Sequence, residues 1–192
     1  MNNNQDIIEF LTTRRSVTAK IMAPGSVHDK HLQKILEVGL RVPDHGALKP
    51  WRLVVIAGDA RKKLDKEIIL PTFLKDNPTV SEEVKGIEGS RMQRADVVIA
   101  VISKPVEHKS IQQWEMLLSA GAVCTTLLYA AQSYGYAAQW LTEWYAYNNE
   151  VLIALGGMPG KDRIAGFIYI GEKIKNPVER TRPNPELVIS YL

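Results

Sequence analysis

Helices first, then helices and strands interleaved, with four or five strands in all: this order predicts an α+β protein whose central sheet is wrapped by helices. Three observations carry the expectation. Residues 52–57 and 96–103 are short, continuously apolar runs, the pattern of buried strands. The first forty residues instead space their apolar side chains at helical intervals. No G-x-G-x-x-G follows a strand and no P-loop is present, so a dinucleotide-binding parallel sheet is excluded.

Taken in order, Asn4 caps a first helix whose apolar face is Ile7, Ile8, Phe10 and Leu11, with residues 12–16 at its far end. Ser26 followed by Asp29 resembles a capping box. Leu32, Ile35, Leu36 and Leu40 carry a second helix to about Arg41, and Pro43 stops it. Residues 43–50 are a loop by composition. The strand at 52–57 is too continuously apolar for a half-exposed edge. Asp59 opens a helix with a basic start, and Pro71 and Pro78 bracket an irregular patch. A helix over 81–94 is weakened by Gly86 and Gly89. Residues 96–103 are the clearest buried strand. A long helix spans 111–135, and a short strand 136–141 follows it. Asn148 caps a short helix ending at Gly156 and Gly157, and 164–170 is another strand. Pro177, Pro183 and Pro185 make the rest an extended arm, with a strand-like stretch at 186–192.

The length, 192 residues, suits one domain or one domain with a tail. With 45% hydrophobic and 23% charged residues, the chain can bury a core without staples. Disordered, collagen-like and disulfide-framed classes are excluded. The net charge of +3, with acids and bases interspersed, does not describe a nucleic-acid binder. Cys124 is the only cysteine, so no intrachain disulfide can form and a cytoplasmic setting is expected. The polar start shows no secretory pattern. From Met116 to Thr142 there is no charge, over a span long enough for a bilayer. Ser119, Thr125, Thr126, Gln132, Ser133 and Gln139 interrupt it, which favours a helix buried in the protein or between two subunits.

Few residues suggest chemistry by themselves. Arg14, Arg15 and Ser16 could clamp a phosphate, since arginine matches its oxygens bidentately. Taken alone, they read better as the end of a helix stabilised by positive charge. Arg180 and Arg182 lie in the proline-rich arm and alone read as a solvated tail. Together, four arginines from opposite ends of the chain could meet on one dianion. In the loop before the 52–57 strand, His45 could meet a ring, and Trp51 reads as core. His28 and His31 have no third ligand nearby, so no metal site is expected. Cys124 sits in apolar company as an inert thiol. No Ser-His-Asp set is evident.

Five segments in order make the chain resemble the nitroreductase family of flavoenzymes, most closely its short, single-domain subgroup. They are R-R-S at 14–16, R-x-P-D-H-x-x-x-x-P-W at 41–51, and S-A-G-A-x-x-x-x-L-L-x-A-A-x-x-x-G at 119–135. Trp140-Leu141-Thr142 is the fourth, and G-F-I-Y-I-G-E at 166–172 with R-x-R-P at 180–183 completes the set. The resemblance implies a mixed, mainly antiparallel sheet flanked by helices. It also implies one domain over 1–192, with the arm at 172–192 crossing onto the partner of a homodimer. Two FMN molecules would sit in the interface. Arg14, Arg15 and Ser16 would hold the phosphate and ribityl end, with Arg182 and Arg180. Arg41 and His45 would approach the ring from the partner, and Trp140, Leu141 and Thr142 would lie along it. Ser119, Ala120, Gly121 and Ala122 would let helices approach closely. The implied activity is a two-step exchange: hydride from NADH or NADPH, then reduction of a nitroaromatic, quinone or similar electron-poor small molecule. An enone reductase or dehalogenase of the same fold, or a non-catalytic flavin binder, are the alternatives. Two departures stand out. Thr18 replaces a basic residue that many relatives direct at the flavin, and His45-Gly46 replaces a common Ser-Asn pair.

Overall fold

A computed structural model describes residues 5–25 and 27–192. The expected caps Asn4 and Ser26 lie outside the described residues. Among the described residues five strands form one sheet: β1 (Met22–Ala23), β2 (Trp51–Ala57), β3 (Val97–Ser103), β4 (Ala137–Leu141) and β5 (Arg163–Lys173). Their order is β1-β5-β3-β2, with β4 also paired to β5, and every pairing is antiparallel.

All seven residues of β3 are buried, because the sheet is covered on both faces. Side chains alternate along the strand. Val98, Ala100 and Ile102 enter one core with Phe167, Tyr169 and Tyr145. Val97, Ile99 and Val101 enter the other, under α2 (Asp29–Gly39) and α6 (Gln113–Ser133). The two helices touch at Gly39, where a Cβ would run into the Leu127 side chain. Cys124 is fully buried on α6, and burial pushes its thiol up to about 12.

Three expectations need correction. β2 is an edge strand, and its residues are mostly half-exposed. Its apolar run arises because Val54 and Ile56 meet one core while Leu53 and Ala57 meet the other. The patch after Pro71 is helical. α3 (Asp59–Leu64) continues through a π turn (Asp65–Ile69) into α4 (Leu70–Asp76), with Pro71 in the first turn of α4. A wider turn just before the proline gives its ring room and needs no hydrogen bond from it. The arm contains only a 3-10 turn (Pro185–Leu187), because no strand lies alongside 186–192 to complete a ladder.

Other elements follow their local signals. Ser81 caps α5 (Glu82–Glu88) through the Val84 N–H, but Gly89 ends it, so the helix expected over 81–94 stops short and a separate 3-10 turn (Met92–Arg94) follows. Asn148 caps α7 (Asn149–Ala154) through two N–H groups. α1 (Gln5–Thr13) is amphipathic, yet none of its residues is buried within the chain. On α6, Ser119 and Ala120 face their own core. Ser119 accepts from Trp51 Nε1 at 3.0 Å and donates to the Pro43 carbonyl at 2.7 Å. Of the four small residues expected at a helix contact, only Gly121 and Ala122 remain half-buried.

Candidate active site

The segment after α1 is tied to α6 and β4. Gln132 of α6 accepts from Arg14 Nε at 2.7 Å and donates to the Arg15 carbonyl at 2.9 Å. Arg14 also donates to Ser16 Oγ at 3.2 Å, and its guanidinium stands 5.4 Å from the Tyr129 ring centre. Farther on, the Val17 N–H donates to the Ala138 carbonyl at 3.2 Å and the Ala19 N–H to Gln139 Oε1 at 2.6 Å. These ties give an otherwise irregular stretch a fixed place beside β4.

Arg14, Ser16, Trp140, Thr142 and Arg180 line one groove of about 570 Å³. Trp140 forms its wall. The indole donates to the Ala165 carbonyl at 3.1 Å and lies directly over Gly166, where any Cβ would overlap it. On the helix side a Cβ at Gly121 would come 3.9 Å from the ring. Leu141 points the other way, as strand alternation requires, and packs on the core.

The other two arginines meet a carboxylate. Glu179 of the arm lies 3.1 Å from both Arg15 Nη1 and Arg182 Nη2. The Arg180 N–H, then Arg15 and Arg182, hold its carboxyl below the ordinary range. Arg15 Nη1 is buried and meets Glu179 as an ion pair without hydrogen-bond alignment. The ends of the chain therefore converge, with two arginines in the groove and two on Glu179.

Arg41 and His45 do not line this groove. Asp44 shapes their loop by accepting from the N–H groups of Leu48 and Lys49. His45 Nδ1 pairs with Glu115 Oε2 at 2.7 Å, in the first turn of α6. Glu115 and Gln132 are separated by seventeen residues of α6, about 25 Å of helical rise. Within one chain, the anchors of His45 and Arg14 stand at opposite ends of that helix.

Gln132, Gln139, Tyr129 and Glu179 join the site without having been singled out from sequence. The two glutamines had a signal, since they interrupt an apolar run. Glu179 had none, because an exposed carboxylate in a polar tail is ordinary. The groove offers guanidinium groups and hydroxyls beside an indole wall, with Arg15 and Arg182 paired to Glu179 next to it. This set suits a flat, phosphate-bearing ligand and supplies no nucleophile of its own. Among the described residues no cluster of His, Cys, Asp and Glu could hold a metal ion.

Comparisons with known proteins place the chain in a family and a fold. The model of the Nitroreductase family matches residues 11–172. The chain is similar to an Escherichia coli K12 protein named "Putative NAD(P)H nitroreductase YdjA", at 29% identity over 97% of this chain and 99% of that protein. Its fold is similar to a nitroreductase-like protein from Bacillus cereus, with TM-score 0.80 and 22% identity over 100% and 98% of the two chains. It is also similar to a Bacteroides fragilis nitroreductase crystallised with bound FMN, with TM-score 0.71 and 18% identity over 97% and 98%.

Proposed function

The chain belongs to the nitroreductase family, and from that premise we propose that it is an FMN-dependent oxidoreductase acting as a homodimer. Its electron donor is NADH or NADPH, and its acceptors are nitroaromatics, quinones and similar flat, electron-poor molecules. The groove that unites Arg14, Ser16, Trp140, Thr142 and Arg180 carries this reading.

Bound FMN would supply the two-electron chemistry that links the nicotinamide donor to the acceptor. The chain's residues bind and orient. Arg14, Ser16 and Arg180 hold the phosphate and ribityl end, and Arg15 and Arg182 join them once Glu179 yields to the phosphate. Trp140 walls the ring, and Thr142 borders it. Leu141 acts through its backbone, since its side chain is in the core. Arg41 and His45 reach the ring of the partner's site. The separation along α6 supports this, because one chain holds its His45 far from its own Arg14. The whole chain works as one domain, with the arm over 172–192 crossing to the partner. The single buried thiol suits a cytoplasmic enzyme.

Two measurements test the reading. Under anaerobic conditions NADH or NADPH should bleach the visible absorption of the FMN-loaded protein, and a nitroaromatic or quinone should restore it. A protein that takes up no FMN would sink the proposal. Arg14→Ala should weaken FMN binding by roughly 1.5–3 kcal/mol, the range of a charge-assisted hydrogen bond; unchanged affinity in a titration would count against the phosphate role.

A further inference from the structure

One residue past Thr142 the backbone takes an unusual turn. Glu143 has φ 48° and ψ −178°, a combination disfavoured for every residue except glycine. Its carboxylate shows what holds it there. One oxygen lies 2.7 Å from Arg91 Nη1, and the other accepts from both terminal nitrogens of Arg94 at 3.2 Å. The arginine side chains are only 14% and 16% exposed, so neither can swing away freely. Arg91 is also paired with Glu88, which accepts from Trp144 Nε1 at 2.9 Å. Arg94 donates to the Tyr145 hydroxyl at 3.1 Å and stacks over the Tyr169 ring at 5.2 Å.

This clamp sits beside the groove. The β4 ladder ends at Leu141, so the N–H groups of Thr142 and Glu143 lie beyond it. Thr142 lines the groove itself. A glycine at 143 would adopt the same dihedrals without strain but would leave the peptide free to rotate. An unclamped L residue would relax to negative φ and turn the peptide elsewhere.

We propose that Glu143 is a positioning residue: clamped by Arg91 and Arg94, it holds the 142–143 peptide in one orientation so that its N–H faces the bound flavin ring. The inference rests on the FMN reading above and adds to it a residue that acts from outside the groove. An N–H aimed at the pyrimidine edge of the ring, where negative charge gathers on reduction, would favour the reduced flavin over the oxidised one. The clamp therefore tunes the potential as well as the affinity.

The test uses the FMN-loaded full chain as wild type, Glu143→Gly, Glu143→Gln and Glu143→Asp. FMN affinity is read by fluorescence titration and the midpoint potential by equilibration with a reference dye. Glu143→Gly should bind FMN about tenfold more weakly, and its potential should fall by about 30 mV, the equivalent of a tenfold lost preference for the reduced form in a two-electron couple. Glu143→Asp, which keeps the charge, should recover part of both effects. Should the glycine variant fail to fold, the isosteric Glu143→Gln carries the same comparison. Wild-type affinity and potential in a folded Gly or Gln variant overturn the inference. So does a potential that rises, as uncompensated arginine charge alone would make it do. Wild-type protein that takes up no FMN overturns both this inference and the functional reading, and that failure is seen before any variant is made.

Discussion

Gly166 shows how one missing Cβ shapes the groove. The indole of Trp140 lies on the bare backbone of β5, and it keeps its hydrogen bond to the Ala165 carbonyl only while residue 166 has no side chain. Trp140 is partly exposed, so it can swing outward when displaced. Gly166→Ala should therefore cost only about 1 kcal/mol of stability, near the worth of one hydrogen bond. FMN affinity should fall by about tenfold, or 1.4 kcal/mol, because the wall itself moves. Paired urea denaturation and FMN titration check this, and equal affinity would mean that Trp140 does not wall the ligand. From sequence, Gly166 was one residue of a motif, and Trp140 was expected along the ring. That one lies on the other follows from the β4–β5 register, which pairs Trp140 with Ile168.

At the scale of elements, the π turn is a joint. Asp65 in that turn is fully buried and accepts the Met92 N–H through both oxygens, at 2.9 and 3.1 Å, with Gln93 Nε2 at 3.0 Å. It ties the α3–α4 run to the segment that leads into β3. Burial pushes its carboxyl above the ordinary aspartate range, although the Met92 and Gln93 hydrogen bonds pull it back. The folded state thus holds this proton more tightly than the unfolded state. Its contribution to stability is full below the ordinary aspartate pKa and declines as pH rises toward the raised one. The stability of wild type minus that of Asp65→Asn should fall across this acidic window, as read by urea midpoints at stepped pH. A difference that grows with pH would contradict the assignment. The turn itself was hidden in the sequence. Pro71 marked a break in pattern, but whether a helix ends or widens before a proline depends on what packs around it.

For the whole molecule, the exposed apolar side chains matter most. Trp114 and Leu118 stand one turn apart on α6, 65% and 54% exposed, and the apolar side chains Ile7, Ile8 and Leu11 of α1 are uncovered. α6 is long and apolar enough to cross a membrane by length and composition, yet half of its most apolar stretch is buried in the core. A second copy of the chain would cover the rest. If the proposed dimer uses this face, Leu118→Glu should convert it to monomer in sedimentation and lower FMN retention with it, since the proposed contribution of Arg41 and His45 to the partner's site would be lost. A dimer that persists would place the interface elsewhere.

Much was legible along the chain. The continuous apolar run of β3, the Ser81 and Asn148 caps and the arginine pairs near both ends are local patterns, and local patterns survive in sequence order. The family motifs put ten residues in one expected site, and five of them, Arg14, Ser16, Trp140, Thr142 and Arg180, line one groove. Other features were settled only by packing. Among them are the edge position of β2, the inward turn of Leu141 and Ser119, and the meeting of Glu179 with Arg15 and Arg182. The opposite placing of His45 and Arg14 along α6 and the clamp on Glu143 belong with them. Each depends on which distant segments come to lie side by side, and residue spacing along the chain carries no record of that.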